Sequence, residues 1–303
     1  MNKEFLQSLR EQIKSGTVTE QEPMSRHTSF SIGGPADVFV QPATKEEIKN
    51  AISCAKEAGV PFFVMGNGSN LLVSDEGFRG MIIQIGKNFQ EISVQDTVVE
   101  VQAGALLSRT ARTALNEELT GFEFAAGIPG SVGGAVAMNA GAYGGEIKDV
   151  LLDAEVLTQD GEFLTLTGEE LELSYRHSCI FEKGYVVLSA RFKFSRGNAE
   201  EIRARMDELA RARREKQPLE FPSAGSTFKR PEGYFAGKLI DDCGLRGLTL
   251  RGAQVSEKHC GFVVNIGDAT AKDILDLMYI VKSTVLNKFG VTLEEEVKIL
   301  GED

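Results

Sequence analysis

The sequence AAGIPGSVGGAVAMNAGAYGG, residues 125–145, is the most informative part of this chain for its architecture. A rigid proline turn at Pro129 precedes the adjacent glycines Gly133 and Gly134, and a run of small apolar residues follows. Glycine lets the backbone come close to a ligand or to another chain segment because it has no Cβ. The segment therefore indicates either a cradle for a large, flat, phosphate-bearing ligand or close packing of one segment on another.

A second glycine loop, GNGSN at residues 66–70, follows a predicted strand. Its glycines permit positive φ, so successive amides can converge on a phosphate. The side chains of Asn67, Ser69 and Asn70 supply further donors. A tight turn between two strands is the alternative, and this pentapeptide alone does not decide between them. The loop is not GxGxxG, so the dinucleotide fingerprint of the Rossmann type is missing.

The residues before this loop predict a β-α-β unit. Residues 36–40 are apolar and strand-like, and Thr44 with Glu47 has the spacing of a capping box that begins a helix. Gly59 ends that helix, and a buried strand at 60–65 completes the unit. Further elements of this half are expected as helices at 4–14 and 106–119 and as strands at 71–73, within 80–104, at 150–157 and at 185–194.

The composition of the chain shifts near residue 197, where we place a domain boundary at about 196. Asn198 caps a long charged helix over residues 199–217, and Pro218 stops it. Later elements are expected as helices at 237–244 and 270–289 and as strands near 251–255, 262–266 and 292–300.

The overall composition excludes several classes of protein. Apolar residues are 42% and charged residues 25% of the 303 residues, which argues against a disordered chain. Lys and Arg number 33 against 44 Asp and Glu, and the net charge of −11 argues against nonspecific binding to nucleic acid or to an anionic membrane. No apolar stretch approaches the roughly 20 residues that span a bilayer.

The cysteines and histidines give no sign of a metal site. The four cysteines are scattered without a CxxC pair, so we interpret them as reduced thiols of a cytoplasmic protein. The three histidines have no metal-ligand spacing, and we expect no zinc.

Three short segments carry polar groups suited to chemistry. Arg176 follows Tyr175 and could hold a carboxylate or phosphate through two hydrogen bonds, or form a surface ion pair. Residues 224–230, AGSTFKR, suit an anion site, an exposed reactive hydroxyl at Ser226 or a plain glycine-led strand. Residues 294–296 are three glutamates that alternate between the faces of a predicted strand, where a solvated edge strand is the simpler interpretation.

Two other motifs give weaker evidence about function. GYFAGKL at residues 233–239 superficially suggests a phosphate-binding P-loop, but its glycines are one residue too close and Leu239 replaces the required Ser or Thr. We therefore reject a nucleotide triphosphatase. The cationic run in residues 211–216 is typical of a solvated helix face, or it offsets the acidic surface where an anionic substrate enters.

Together these motifs resemble the UDP-N-acetylenolpyruvoylglucosamine reductases, a family of flavoproteins of bacterial cell-wall synthesis. The resemblance runs from about residue 20 to residue 301 and rests on seven blocks in order. The blocks are HTSFSIGGPAD (27–37), GNGSNLLVSD (66–75), AGIPGSVGGAVAMNAGAYG (126–144), YRHS (175–178), PSAGSTFKRP (222–231), GLRGLTLRGAQVSEKHCGFVVN (244–265) and LEEEVKILG (293–301).

The resemblance implies an α+β fold. A two-subdomain FAD-binding region of the vanillyl-alcohol-oxidase (PCMH) type would be followed by an α+β substrate-binding domain. The implied domains are an N-terminal helix in residues 1–25, the FAD-binding region in 26–196 with a split near 78, and the substrate-binding domain in 197–303.

The resemblance also implies a reaction in two half-reactions. NADPH gives a hydride to FAD, and the reduced flavin gives it to C3 of an enolpyruvyl ether before C2 is protonated. Hydride addition leaves negative charge that spreads into the adjacent carboxylate, and the Arg176 guanidinium is matched to that charge. The family motifs place the proton donor at Ser226. They place a third polar group at Glu296, which we expect to be protonated and to donate a hydrogen bond.

The resemblance implies that FAD is bound noncovalently and that NADPH and a UDP-linked amino sugar are the other partners, with neither nucleic acid nor membrane. The implied cofactor-binding residues are Gly66, Asn67, Gly68, Ser69, Asn70, Leu71, Gly127, Ile128, Ser131, Gly133, Gly134, Ala137 and Gly141. The implied substrate-binding residues are Tyr175, Lys216, Arg230 and Arg246.

The chain departs from the family pattern at two points. Longer members carry an extra loop and helix with a tyrosine that closes over the substrate, and this chain has no room for that insertion before residue 200, so it resembles the shorter subgroup. Arg230 stands where some members have asparagine.

Two alternatives remain. A flavin oxidase or dehydrogenase of the vanillyl-alcohol-oxidase type often attaches its flavin through a histidine in a glycine-rich loop, and neither glycine loop here contains one. A noncatalytic flavin- or nucleotide-sugar-binding protein would need no trio of Arg176, Ser226 and Glu296.

Overall fold

The computed structural model describes residues 3–301. That range contains eight α-helices and eighteen strands. The helices are α1 Lys3–Gln12, α2 Lys45–Glu57, α3 Leu107–Asn116, α4 Val132–Ala137, α5 Cys179–Lys183, α6 Ala199–Lys216, α7 Ala236–Asp242 and α8 Ala271–Phe289. The strands are β1 Thr17–Pro23, β2 Pro35–Gln41, β3 Phe62–Met65, β4 Leu71–Val73, β5 Phe78–Gln84, β6 Ile92–Gln95, β7 Val98–Gln102, β8 Leu119–Thr120, β9 Gly141–Ala142, β10 Gly145–Glu146, β11 Leu151–Leu157, β12 Phe163–Thr167, β13 Val186–Lys193, β14 Ser195–Arg196, β15 Thr249–Leu250, β16 Ala253–Val255, β17 Val263–Asn265 and β18 Lys298–Leu300.

The chain forms two compact units. The first unit comprises the residues up to 19 together with 38–67 and 80–213, and the second comprises 20–37, 68–79 and the residues from 214 onward. The second unit is thus assembled from three separate stretches of sequence. The assignment of FAD to residues 26–196 and of substrate to residues 197–303 stays a prediction.

A five-stranded antiparallel sheet forms the centre of the first unit, in the order β12-β11-β13-β7-β6. Its strands alternate: Val99 and Val101 of β7 are fully buried, while Glu100 between them is exposed. This period of two is what a sheet with one covered face requires. Helix α4 packs on β13 and β7 and covers part of that face.

The predicted β-α-β unit is present, with one strand inserted. Helix α2 buries Ile48, Ala51, Ile52 and Ala55 along one face, a spacing of one helical stripe. Strand β3 lies parallel to β5, and the sheet order is β1-β2-β5-β3. Strand β5 therefore separates the two strands that helix α2 connects.

The predicted capping box at the start of α2 is only half correct. The Thr44 hydroxyl accepts a hydrogen bond from the amide of Glu47 at 3.1 Å. The Glu47 carboxylate turns elsewhere: it accepts from the Ala43 amide at 2.8 Å and from the amides of Lys14 and Ser15 at 2.7 and 2.6 Å. Glu47 thus holds the turn after α1, because that turn has amides without helical partners.

The second unit is built on the antiparallel sheet β15-β16-β17, against which α8 packs. Thr270 and Asp273 form a complete capping box at the start of α8, and Gly290 ends it with φ 67°. The Asp75 carboxylate accepts hydrogen bonds from the Ala271 and Lys272 amides at 2.8 and 3.1 Å. Asp75 is thus a second carboxylate at the N-terminus of α8, where the helix dipole stabilises negative charge.

One predicted element is shorter than expected, and one helix was not predicted. The last strand was expected over residues 292–300, but only β18 is a strand, and it pairs in parallel with β4. Residues before it make a single bridge, Phe228 with Glu295. Helix α4 lies inside residues 125–145, where glycine and valine gave no helical signal. Its first amides, of Val132 and Gly133, are held by the carbonyls of Ala105 and Ala103.

Candidate active site

The start of α4 carries a buried hydroxyl that needs a partner. Within residues 3–301 the Ser131 Oγ atom is buried and makes no hydrogen bond. A Cβ added to Gly66 would lie 2.1 Å from that oxygen, so any side chain at position 66 would displace the Ser131 hydroxyl. Buried polar atoms almost always have a partner. A hydroxyl left open beside a glycine fits a site for a polar group of a ligand.

The loop of residues 66–70 offers unused amides. In the described part of the chain, no amide of residues 67–70 donates a hydrogen bond to another protein group. The loop leaves β3 and enters β4, which belong to different sheets, and this disfavours the alternative of a hairpin turn. The Asn67 side chain donates to the Pro129 carbonyl at 3.1 Å, which joins the two glycine loops. Successive open amides are the usual means of holding a phosphate.

The predicted arginine sits on a tight turn. Ser174 and His177 exchange two main-chain hydrogen bonds of 3.1 and 3.2 Å around Tyr175 and Arg176. Arg176 has φ 54°, the left-handed region that non-glycine residues adopt at a cost of about 1–2 kcal/mol. Its guanidinium lies 5.0 Å from the centre of the Tyr175 ring. The aromatic neighbour inferred from the sequence is confirmed.

Both ends of this turn are anchored to the C-terminal end of α4 and the residues that follow it. The buried Asn139 side chain donates to the Ser174 carbonyl at 2.9 Å. The buried Ser178 hydroxyl donates to the Ala137 carbonyl at 2.5 Å and caps α5. The glycine-rich segment therefore fixes Arg176 from both sides, a connection that the sequence alone did not reveal.

The charge of the same arginine also acts on a nearby carboxylate. Glu146 pairs with Lys148 at 2.8 Å and accepts from Asn139 at 3.0 Å. The Lys148 ammonium is the main reason that the pKa of Glu146 lies below its usual range, and the charge of Arg176 contributes in the same direction. Glu146 is therefore ionised at neutral pH, and Arg176 lies in its field.

Of the ten non-glycine residues with positive φ within residues 3–301, three lie in the glycine-rich segment or in the Arg176 turn. Asn139, Tyr143 and Arg176 have φ of 43°, 53° and 54°. Tyr143 and Gly144 form the two-residue turn between β9 and β10, both at positive φ, as a type I′ turn requires. Non-glycine residues held in this conformation cluster at functional sites. The hairpin turn accounts for Tyr143, so only Asn139 and Arg176 bear on function.

The predicted proton donor and glutamate lie together in the second unit. Gly225, at φ 79°, turns the chain before Ser226. The Glu296 amide donates to the Thr227 carbonyl at 2.9 Å, which places the segments of Ser226 and Glu296 side by side. The Asn70 side chain donates to the Glu296 carbonyl at 3.0 Å. A residue predicted to bind cofactor is thus hydrogen-bonded to the main chain of a predicted catalytic residue.

The neighbouring glutamates have structural partners. Glu294 pairs with Lys229 at 3.2 Å, and Glu295 forms an ion pair with Lys282. Burial works against ionisation of Glu295, but the Lys282 ammonium, a backbone hydrogen bond and the charge of Lys229 together outweigh it and lower the pKa of Glu295. Glu294 and Glu295 are therefore accounted for by surface and near-surface ion pairs.

Arg213 is not part of a solvated helix face. Burial lowers the pKa of its guanidinium, and among the described residues no carboxylate forms an ion pair with it. A Cβ on Gly127 would lie 3.2 Å from the Arg213 Cδ atom. A half-buried arginine beside a glycine loop needs an anion for compensation. The run of charges around it hid this signal in the sequence.

The other predicted substrate contacts are less telling. Arg246 makes a two-pronged ion pair with Asp241 at 2.9 and 2.7 Å, which occupies much of its donor capacity. The Arg230 guanidinium stacks 3.9 Å from the centre of the exposed Phe235 ring. Lys216 is exposed at the end of α6.

The described residues offer neither a metal site nor a membrane-spanning helix. Residues 3–301 hold no group of three or more His, Cys, Asp or Glu side chains arranged for a metal ion. None of the helices described is both long and apolar enough to cross a membrane.

Comparison with known proteins resolves the family. The model of the FAD binding domain matches residues 36–167, and that of the UDP-N-acetylenolpyruvoylglucosamine reductase C-terminal domain matches residues 217–300. The reductase of that name from Clostridioides difficile is 54% identical over the whole of this chain and 99% of its own length. That from Agathobacter rectalis is 56% identical over the full length of both chains. The chain belongs to the UDP-N-acetylenolpyruvoylglucosamine reductase family.

A solved reductase of this family shares the fold. The crystal structure from Thermus caldophilus is 38% identical, covers 94% of this chain and 99% of its own, and superposes with a TM-score of 0.80. The resemblance stated from the seven sequence blocks is confirmed, and so is the α+β class. A berberine bridge enzyme variant, 17% identical with a TM-score of 0.51 over 64% of this chain, shares the fold alone. The individual site residues stay predictions.

Proposed function

We infer that this chain is an FAD-dependent reductase that converts the enolpyruvyl ether of UDP-N-acetylglucosamine-enolpyruvate to the lactyl ether of UDP-N-acetylmuramate with NADPH. Identity above 50% with reductases of that name over the full chain carries the inference. In the cell this reaction supplies peptidoglycan precursor, so we propose a cytoplasmic enzyme that supports cell-wall growth and division.

The residues fit FAD. We propose that the open Ser131 hydroxyl and the unused amides of residues 67–70 hold polar groups of the cofactor. We add Arg213 as a contact for an anionic group, because its guanidinium is half-buried without a carboxylate. When bound, FAD supplies the hydride that NADPH provides and C3 of the enolpyruvyl group receives.

Arg176 is proposed to stabilise the charge that develops on the substrate carboxylate. A fixed cation aimed at developing charge is often the largest single catalytic contribution. The turn that carries Arg176 is anchored at both ends, so little reorganisation is needed during the reaction. The nearby Glu146 carboxylate offers a resting partner for the guanidinium.

Ser226 is proposed to protonate C2. The carbanionic product of hydride addition is a strong base, so a weak acid suffices as donor if it is correctly placed. The main-chain hydrogen bond between the Glu296 amide and the Thr227 carbonyl, which keeps the two segments side by side, supports this role. Glu296 is proposed to donate a hydrogen bond from a protonated carboxyl group, since an ionised carboxylate would repel the substrate's charge.

The visible spectrum of the purified protein tests the function. We expect flavin absorbance that NADPH bleaches and that the enolpyruvyl sugar restores. Protein that stays colourless after incubation with FAD would overturn the cofactor. Bleaching that only an alcohol produces would favour the oxidase alternative, and a bound flavin with no turnover would favour the binding protein.

A further inference from the structure

We propose that Asn139 is a positioning residue, whose side-chain amide sets the place of the Arg176 guanidinium by holding the Ser174 carbonyl. The proposal rests on the proposed role of Arg176 and extends it to a residue outside the sites predicted from the sequence.

The Asn139 side chain is completely buried and hydrogen-bonded on both sides of its amide. Its nitrogen donates to Glu146 at 3.0 Å and to the Ser174 carbonyl at 2.9 Å, and its oxygen accepts from the Lys148 amide at 3.0 Å. If the amide were flipped, its oxygen would face the oxygens of Glu146 and Ser174, and its NH₂ group would face the Lys148 N–H group. The network therefore fixes one orientation.

The position of Asn139 in the chain makes it a rigid anchor. It directly follows Met138, which caps the end of α4, and it adopts φ 43°, a conformation that asparagine tolerates better than most residues. Helix α4 in turn packs on the central sheet. The hydrogen bond to Ser174 thus connects the Arg176 turn to the end of α4 and, through that helix, to the central sheet.

The turn itself has reason to relax without that bond. Arg176 is held at φ 54°, and such a conformation persists only when its surroundings impose it. The Ser174 carbonyl belongs to the residue that opens the turn. Loss of the Asn139 donor would let this end move, while Ser178 continues to hold the other end. A guanidinium on a long side chain would then be misplaced rather than removed.

Asn139→Asp is the first test variant, because aspartate keeps the size, the tolerance for positive φ and the acceptor for Lys148, and loses both donated bonds. In stopped-flow experiments on the FAD-loaded enzyme, we expect oxidation of the reduced flavin by the enolpyruvyl sugar to slow by about 100-fold. Reduction of the flavin by NADPH should stay within about threefold, since Arg176 has no part in it. Equal slowing of both half-reactions would overturn the proposal.

A donor–acceptor swap separates positioning from structural support. In Asn139→Asp with Glu146→Gln, the bond between positions 139 and 146 can form again with its direction reversed, but the bond to Ser174 cannot. We expect the thermal unfolding midpoint, measured with and without FAD, to return toward that of Glu146→Gln alone while the second half-reaction stays slow. Recovery of both would overturn the proposal. If Asn139→Asp alone does not fold, the second half-reaction of the swap variant is compared with that of Glu146→Gln instead.

Arg176→Ala distinguishes this proposal from the proposed function. If Asn139 acts through Arg176, Asn139→Asp should slow the second half-reaction by less than about twofold further in an Arg176→Ala background. A full additional loss would overturn the positioning role. Wild-type rates in Arg176→Ala would overturn the role of Arg176 and the Asn139 proposal with it. A slow Arg176→Ala beside a normal Asn139→Asp would overturn the Asn139 proposal alone.

Discussion

The Arg176 turn and the Ser226–Glu296 segments carry the proposed catalytic groups, and they are held in opposite ways. Side chains anchor the turn: Asn139 and Ser178 hold its ends, and its backbone adopts a left-handed conformation. The Ser226 and Glu296 segments are held mainly by main-chain bonds, through the Thr227 carbonyl and amide, with one side-chain bond from Asn70 to the Glu296 carbonyl. A side-chain substitution near Ser226 should therefore slow the reaction without moving the segment. By contrast, substitution of residues that never touch the substrate should displace the Arg176 turn and slow the reaction.

Ser226→Ala should have the largest effect and the cleanest one. Loss of the proton donor should slow the second half-reaction by about 10²–10⁴-fold, while NADPH still bleaches the flavin. The unfolding midpoint should not change, because the main-chain bonds around the residue remain. Stopped-flow absorbance and thermal unfolding measure both, with Ser223→Ala as the matched control. A variant with both half-reactions intact would remove Ser226 from its role.

Glu296 offers a smaller, graded effect in the same region. Glu296→Ala should slow the second half-reaction by about 10²–10³-fold if the carboxyl group donates a hydrogen bond to the developing charge. Glu296→Gln keeps a donor and should stay within about tenfold of the wild type. Single-turnover kinetics of the two variants decide the matter, and equal losses would contradict the donor role.

Glu47 extends the comparison to a side-chain anchor that has no proposed part in catalysis. Glu47→Gln should lower the free energy of unfolding by about 1.5–3 kcal/mol and leave both half-reactions unchanged, because several amides lose a charged acceptor. Chemical denaturation measures this, with exposed Glu46→Gln as control. A change in rate would show that anchoring in the first unit affects catalysis generally.

The same residue gives a pH dependence with a definite sign. Burial opposes ionisation of Glu47, but hydrogen bonds from Ala43, Ser15, Lys14 and Gly16 outweigh it and lower its folded-state pKa. Its contribution to stability is complete above the unfolded pKa of about 4.3 and is lost as the pH falls through the folded value. The difference in free energy of unfolding between wild type and Glu47→Gln should therefore shrink as the pH falls. A difference that stays constant with pH would contradict this role of the Glu47 carboxylate.

Thr227→Ala should have the smallest effect and tests the main-chain half of the comparison. The buried hydroxyl accepts from the Val263 amide at 2.9 Å, so its loss should cost about 1–2 kcal/mol in the free energy of unfolding. The bonds to Gly261 and Glu296 use main-chain atoms and survive. The second half-reaction should change by less than threefold, and a loss as large as that of Asn139→Asp would erase the distinction.

Local signals predicted most of the elements, and long-range contacts account for the misses. Helix α6 begins after Asn198 as expected, since that side chain accepts from the Glu200 and Glu201 amides. Helix α4 was missed because neighbouring carbonyls, rather than helix propensity, fix its start. The reach of Glu47 to the turn after α1 depends on how α1 and α2 pack, which spacing cannot report.

The candidate site shows the same division. Motifs identified Arg176, Ser226 and Glu296 as chemistry-bearing residues, because their types and neighbours suit the reaction. The importance of Asn139 and Arg213 is apparent only from their burial. Asn139 is a buried amide with all its hydrogen bonds made, and Arg213 is a half-buried cation. The sequence does not indicate either property, because asparagine is typical of turns and this arginine belongs to a run of charges on a helix.

The parallel pairing of β4 with β18 has a consequence for the order of synthesis. β4 leaves the ribosome roughly 220 residues before β18 exists, a delay of about 10–45 s at the usual speed of translation. Until then one edge of Leu71–Val73 has no native strand beside it, and an open edge invites pairing with another chain. Nascent chains that stall before Lys298 are therefore the ones we expect chaperones to encounter.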